Sequence, residues 1–398
     1  MKTPVYLDNN ASTPVDPLVV ERMTDVLRHD HGNPSSKMHG WGNRAAELVE
    51  TARAQVAELI GARPREIVFT SSATESCNLA IKGVAEMYAR QDDHIVTCRS
   101  EHKAVLAPVE RLESRGFSAT LLAPDGYGRV SAEAIDEAVD KRTILVSIMA
   151  ANNVVGTLNP IAQIGRVAKR RGVLFHCDAT QAVGKIPVDV EAMGIDLLSM
   201  SAHKLHGPKG MGVLYIRGHA PKVRLTPQID GGGQEGGLRG GTLNVSGIVG
   251  MGLACEIAAN QLDEDARRMR ALSDRLLAGF SRHIANISLN GHADERLPNT
   301  LNIAFDRVSV DELLENLPEI AASAGSACSS GIDDPNYVLR AMGHDERRAG
   351  ASVRFSLGRF TTAEEIDYCI KKVSVAVNKL RAGNQSSFVP MTEILNQD

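Results

Sequence analysis

Six short apolar runs recur through the middle of the chain: IVFT (67–70), HIVTC (94–98), TILVSIM (143–149), VLFHCDA (173–179), DLLSMSA (196–202) and GVLYIR (212–217). Most are separated by helical stretches of ten or more residues, and few of their positions alternate with polar ones. Strands that are apolar on both faces must be covered on both faces, so this order predicts a largely parallel sheet sandwiched between helices. One covering helix is read at Asn43–Ile60, where Ala45, Leu48, Val49, Ala52, Val56 and Leu59 share a face and Gly61 stops the run. Ligands of such sheets bind beyond the carboxyl ends of the strands, where the loops gather.

At 398 residues the chain exceeds one ordinary core. After a long helical stretch near 245–283 the texture changes. LNIAF (301–305) and SVRFSL (352–357) read as strands of a smaller sheet, with helices near 309–317 and 361–381. The expected organisation is a large domain over 13–260, a smaller α+β domain built from 1–12 and 261–384, and a polar tail over 385–398. A net charge of −4 and the absence of a sustained basic block argue against nucleic acid or an anionic membrane as partner. Lys169, Arg170 and Arg171 read as a solvated helix end. No signal-peptide core or run of about 20 apolar residues is found. The six cysteines (77, 98, 177, 255, 328 and 369) have no CxxC spacing, which fits free thiols in a reducing cytoplasm.

The informative residues stand where the runs end. SAHKLHGPKG (201–210) places Lys204 between two histidines, in a turn stiffened by Gly207, Pro208 and Gly210. VLFHCDATQ ends in Asp178 and Gln181, HIVTCRSEHK in His102, and ILVSIMAANN in Asn152 and Asn153. IVFTSSATES passes from a strand through Ser71, Ser72 and Thr74 into a helix start. Singly, each has an ordinary explanation as a turn or an N-cap residue. Together they match the needs of pyridoxal phosphate. That cofactor takes a lysine for its Schiff base, an acid against its ring nitrogen and a flat group against its ring. It also needs donors for its phenolate oxygen and a helix N-terminus for its phosphate. Lys204, Asp178, His102, Asn153 or Gln181, and SSATES supply one of each.

The chain resembles the NifS/IscS-type cysteine desulfurases, of the class V, fold-type I pyridoxal phosphate enzymes. The resemblance runs through YLDNNASTPVDP (6–17), HGNPSSKMHGWG (31–42), SATESCNLA, SEHKAVL, DATQAVGK, SAHKLHGPKG, GGGQEGGLRGGT (231–242), LPNTLNIAF, GSACSSG (325–331) and VRFSLGRFTT (353–362). It implies that Lys204 carries the cofactor, Asp178 faces the pyridinium and His102 stacks as acid/base. Thr74, Ser201 and His203 would bind the phosphate, joined by Thr242 from the other subunit of a homodimer. Asn153 and Gln181 would contact the cofactor, and Arg354 would hold the carboxylate of L-cysteine, with Asn153 also on the substrate side.

Cys328 sits among Ser, Ala and Gly in SAGSACSSG (323–331). Composition alone favours a plain flexible loop, but a thiol that accepts sulfur and delivers it elsewhere needs such a carrier. The resemblance makes Cys328 the persulfide cysteine. It implies L-alanine as product and an iron–sulfur scaffold or other sulfur-acceptor protein as partner. No firm metal site is read, beyond Cys328 as a transient iron–sulfur ligand. The other five cysteines fall in strand or helix patterns and read as core. Three positions depart from the family pattern: Ala202 for glycine, Val154 for an acid and Gly236 for arginine. The rival readings are aminotransfer, cystine or selenocysteine lysis on the same fold, and a non-catalytic docking platform.

Overall fold

The computed structural model describes residues 3–88, 93–219, 221–324 and 336–386. Its strands form three sheets. After the N-terminal β1 (Val5–Tyr6) come β2 (Ile67–Thr70), β3 (His94–Cys98), β4 (Ser118–Leu122), β5 (Thr143–Ser147), β6 (Leu174–Asp178), β7 (Leu197–Ser201) and β8 (Gly212–Ile216). These last seven make the main sheet, in the order β2-β8-β7-β6-β5-β3-β4. β8 runs antiparallel to both neighbours and the other neighbouring pairs are parallel. The reversal follows from chain length: residues 202–211 are too few for a parallel crossover, which takes about a dozen. β4 was not read from the sequence. It lies at the sheet edge and is half-buried throughout, so it carries no continuous apolar run.

Successive residues of these strands feed opposite cores. Val68, Leu145, Leu197 and Leu214 pack with the helices Ala73–Tyr88 and Lys103–Glu113. Phe69, Val146, Leu198 and Val213 point the other way, into a core shared with Gly40–Leu59, Ile161–Arg171 and the first half of Val245–His283. Both faces are thus covered, as the apolar runs predict. The helix expected over 43–60 starts at Gly40, because His39 caps it with Nδ1 accepting the Gly42 N–H at 3.2 Å.

Beyond the main sheet, β9 (Ile287–Asn290), β10 (Thr300–Phe305) and β12 (Ser352–Ser356) form an antiparallel sheet in the order β12-β10-β9, while β11 (Ile320–Ala321) pairs parallel with β1. Helices Val310–Glu315 and Ala363–Ser386 pack on a separate core, in which Phe280, Phe305 and Phe355 have ring centroids 5.3–6.5 Å apart. Val245–His283 joins the two cores: Met251 and Cys255 belong to the first, Leu276 and Phe280 to the second. Among the described residues only this helix is, by length and composition, apolar enough to cross a membrane, and 56% of that apolar stretch is buried in the protein.

Candidate active site

The carboxyl ends of the main-sheet strands gather at one edge. β2 runs through Ser71 and Ser72 into the helix Ala73–Tyr88, where Ser72 Oγ accepts the Glu75 N–H at 3.2 Å. β3 leads by a short turn to His102, which caps Lys103–Glu113 with Nδ1 accepting the Ala104 N–H at 3.1 Å. A neutral imidazole that accepts at Nδ1 carries its proton on Nε2. Burial lowers the His102 pKa, Asp178 opposing and Lys204 adding to the effect, so the ring is neutral at pH 7. β6 ends at Asp178, whose Oδ1 accepts the Thr180 N–H at 3.0 Å, and Gln181 follows in the next turn.

β7 ends at Ser201, and a single 3₁₀ turn over Ala202–Lys204 aims the lysine back across the sheet edge. Lys204 Nζ donates to the carbonyls of Asn10 at 2.6 Å and Ala11 at 2.7 Å. His203, packed beside it with Ser12 Oγ 3.3 Å from Nδ1, is pushed down to about 4 by burial and then by Lys204, Lys209 and Lys185. It too is neutral.

The opposite wall comes from the small sheet. Arg354, in the middle of β12, is 1% exposed. Its Nη2 donates to Asp8 Oδ1 at 2.7 Å and its Nη1 to the Asn153 carbonyl at 3.0 Å. Its Nε and the Asn153 Oδ1 are buried without a hydrogen-bond partner. Such groups cost about 1–3 kcal/mol each unless something pairs with them.

Thr74, His102, Asn153, Asp178, Gln181, Ser201, His203, Lys204 and Arg354 line one cavity of about 160 Å³. A larger hollow of about 770 Å³, beside the Arg53–Glu235 ion pair, shares no residue with it. Thr242 is exposed and does not line the cavity of its own chain. Cys328 lies outside the described residues, as does almost all of the 385–398 tail. The flanks of residues 325–335 are described, and both meet the site. Ser323 pairs with Arg354 through both backbone hydrogen bonds (2.7 and 3.1 Å), and Tyr337 Oη donates to the Glu101 carbonyl at 2.7 Å.

Several contributors were not read as site residues: Asp8, Asn10, Ala11, Glu101 and Lys185. Asp8, Asn10 and Ala11 sit in the quoted stretch YLDNNASTPVDP, but only the fold brings them to Lys204 and Arg354. Glu101 is buried beside His102, with Oε1 accepting the Met149 N–H at 2.8 Å. Burial first, then the Asp178 charge, pushes its carboxyl well above the usual range.

The Aminotransferase class-V family model matches residues 5–369. Over 381 residues the chain is 51% identical to "Cysteine desulfurase IscS" of Anaeromyxobacter sp. (strain K), covering 96% of this chain and 94% of that one. The chain belongs to the class-V family, among its NifS/IscS-type cysteine desulfurases. Solved structures agree: a "NIFS-LIKE PROTEIN" superposes with a TM-score of 0.88 at 41% identity, covering 95% of this chain and 100% of that one. "SspA in complex with cysteine" superposes at 0.79 with 38% identity, covering 90% of this chain and 99% of that one.

This desulfurase is therefore a fold-type I enzyme that uses pyridoxal phosphate, and the cavity fits that cofactor. It offers an amine, a carboxylate, a neutral imidazole and a hydroxyl-bearing helix start, and three polar atoms of its lining residues, Asn153 Oδ1, Thr180 Oγ1 and Arg354 Nε, are buried without a hydrogen-bond partner, which favours a polar ligand. The family departures leave this set intact. Ala202 is fully buried in the 3₁₀ turn, and its methyl fits because the neighbour facing it is Gly207, whose added Cβ would lie 2.8 Å away. Val154 joins an apolar cluster with Val338, Leu339 and Met342, where a charge would be stranded. Gly236 adopts φ +64 beside open space.

Proposed function

We propose that this desulfurase converts L-cysteine to L-alanine and receives the sulfur as a persulfide on Cys328. The persulfide is then delivered to an iron–sulfur scaffold or another thiolation acceptor. That a related structure holds cysteine supports the choice of substrate. Bound pyridoxal phosphate supplies an electron sink, which acidifies the substrate Cα–H and weakens its Cβ–S bond. Lys204 would hold the cofactor. Its Nζ donates to the Asn10 and Ala11 carbonyls at 2.6 and 2.7 Å, and from there it would move the proton at Cα. Asp178 would keep the ring nitrogen protonated, and His102 would lie against the ring with a proton on Nε2.

Thr74, Ser201, His203 and the start of Ala73–Tyr88 would hold the phosphate, joined by Thr242 of a second copy in a homodimer. Asn153 and Gln181 would face the phenolate oxygen, and Arg354 the substrate carboxylate, for which a planar guanidinium is suited. The large unit over 13–260 would carry the cofactor and the smaller one the Cys328 segment. The mildly acidic chain and its unpaired cysteines support a cytoplasmic setting.

The sulfur step rests on one observation: Cys77, Cys98, Cys177, Cys255 and Cys369 are all buried. Burial pushes Cys98 up to about 11 and Cys255 up to about 12, and raises Cys77, Cys177 and Cys369 as well. None can present a thiolate at neutral pH. Cys328 follows the anchored Ser323 by five positions in the sequence. Its thiolate would attack the substrate sulfur as the Cβ–S bond breaks, so one S–S bond replaces one C–S bond and no oxidant is consumed.

The test is Cys328→Ala. It should keep the yellow cofactor and the spectral change on adding L-cysteine, yet form little alanine and no persulfide detectable by a thiol-selective label. Alanine and sulfide at the parent rate would show that no protein thiol takes part.

A further inference from the structure

The motif DATQAVGK ends in a lysine that the reaction above does not use. Lys185 is 5% exposed, four residues beyond Gln181, and its Nζ donates both to the Gln181 Oε1 at 2.9 Å and to the Gln181 carbonyl at 3.2 Å. An ammonium only donates, so the atom it meets must be the amide oxygen of Gln181. The Gln181 Nε2 is thereby turned the other way. One of its hydrogens goes to the Asn10 carbonyl at 3.0 Å, the same carbonyl that holds Lys204 at 2.6 Å. The second is left for the cavity that Gln181 lines. Without Lys185 the Asn10 carbonyl alone would oppose a flip of the carboxamide that presents an acceptor there instead.

We infer that Lys185 is a positioning residue: it locks the Gln181 carboxamide so that only N–H faces the cavity, and thereby selects an oxyanion of the bound cofactor. The inference rests on the cofactor reading of the site. The titratable groups around Lys185 are Lys204 and Arg354, both cations, and His203 and His206, which burial keeps neutral. Burial first, then Lys204 and Arg354, bring its ammonium down to about 7, so its hold on Gln181 weakens above neutral pH.

The experiment titrates the visible absorbance of the cofactor-loaded protein with pH, without substrate. A donor to the phenolate oxygen disfavours the protonated chromophore. Lys185→Met should therefore raise the absorbance midpoint by about one unit, a tenfold change in proton affinity. Gln181→Leu should raise it similarly, and the double variant should add little to either, because the lysine acts through the glutamine. If Lys185→Met does not fold, Lys185→Gln carries the test, since a neutral amide can accept as well as donate and no longer enforces one orientation. An unmoved midpoint in whichever variant folds, or full additivity in the double variant, overturns the inference. A parent protein that takes up no chromophore at all would instead overturn the cofactor reading beneath it.

Discussion

One wall of the cavity is made of strand ends and the other of a strand's middle. On the main-sheet side, Asp178 is the last residue of its apolar strand, and His102 and Lys204 stand in the short segments after theirs, where the backbone is free to turn and aim them. On the small-sheet side, Arg354 projects from the centre of β12, held flat by Asp8 and Asn153. On the proposed reading, the first wall would carry the groups that act on cofactor and protons, and the second a fixed cation that acts on what is bound. The difference should appear as a division between turnover and substrate affinity.

The largest effect is expected on the main-sheet side. Asp178→Asn should retain the cofactor but lower kcat about a thousandfold, or ~4 kcal/mol of barrier, because the ring nitrogen loses its proton. Near-normal alanine production would reduce Asp178 to a turn residue. Arg354→Lys should raise the KM for L-cysteine at least tenfold (~1.4 kcal/mol) while changing kcat less, since an ammonium cannot reproduce the bidentate contact. A fall in kcat at unchanged KM would erase the distinction between the walls. Thermal unfolding of the same variant guards against simple loss of the partly buried Asp8 pair, which is a destabilising change in its own right.

A smaller effect distinguishes the walls by pH. His176, in β6 beneath Asp178, is fully buried between Ser147 Oγ at 2.8 Å and Ser199 Oγ at 2.9 Å, and burial lowers it to about 4. A histidine depressed on folding binds protons more readily in the unfolded chain. Its stabilising contribution is therefore complete above the ordinary value near 6.5 and is lost as pH falls toward 4. By pH 5 the loss should reach about 2 kcal/mol. Unfolding measured at pH 7 and pH 5 should show a smaller difference in His176→Gln than in the parent. Equal differences would place the acid sensitivity elsewhere.

The same division explains what could be read from the sequence. Strand-end residues are legible because an apolar run predicts its own end, and a reactive side chain there is conspicuous. Lys204, Asp178 and His102 were found this way before any resemblance was invoked. Arg354 was not, since an arginine inside SVRFSL looks like any strand residue until the fold buries it against Asp8. Asn10 and Ala11 act through backbone carbonyls, which carry no side-chain signal. β4 escaped because an edge strand needs only one covered face, and the antiparallel β8 could have been inferred from its short connection to β7.

The most direct measurement is borohydride reduction of the cofactor-loaded protein followed by peptide mapping. Two buried or half-buried lysines compete for the assignment. Lys185 is brought down to about 7 but does not line the cavity, whereas Lys204 does. The geometry requires the adduct on Lys204, with Lys185 unmodified. An adduct on Lys185, or none in protein that is yellow, would contradict the account of the site.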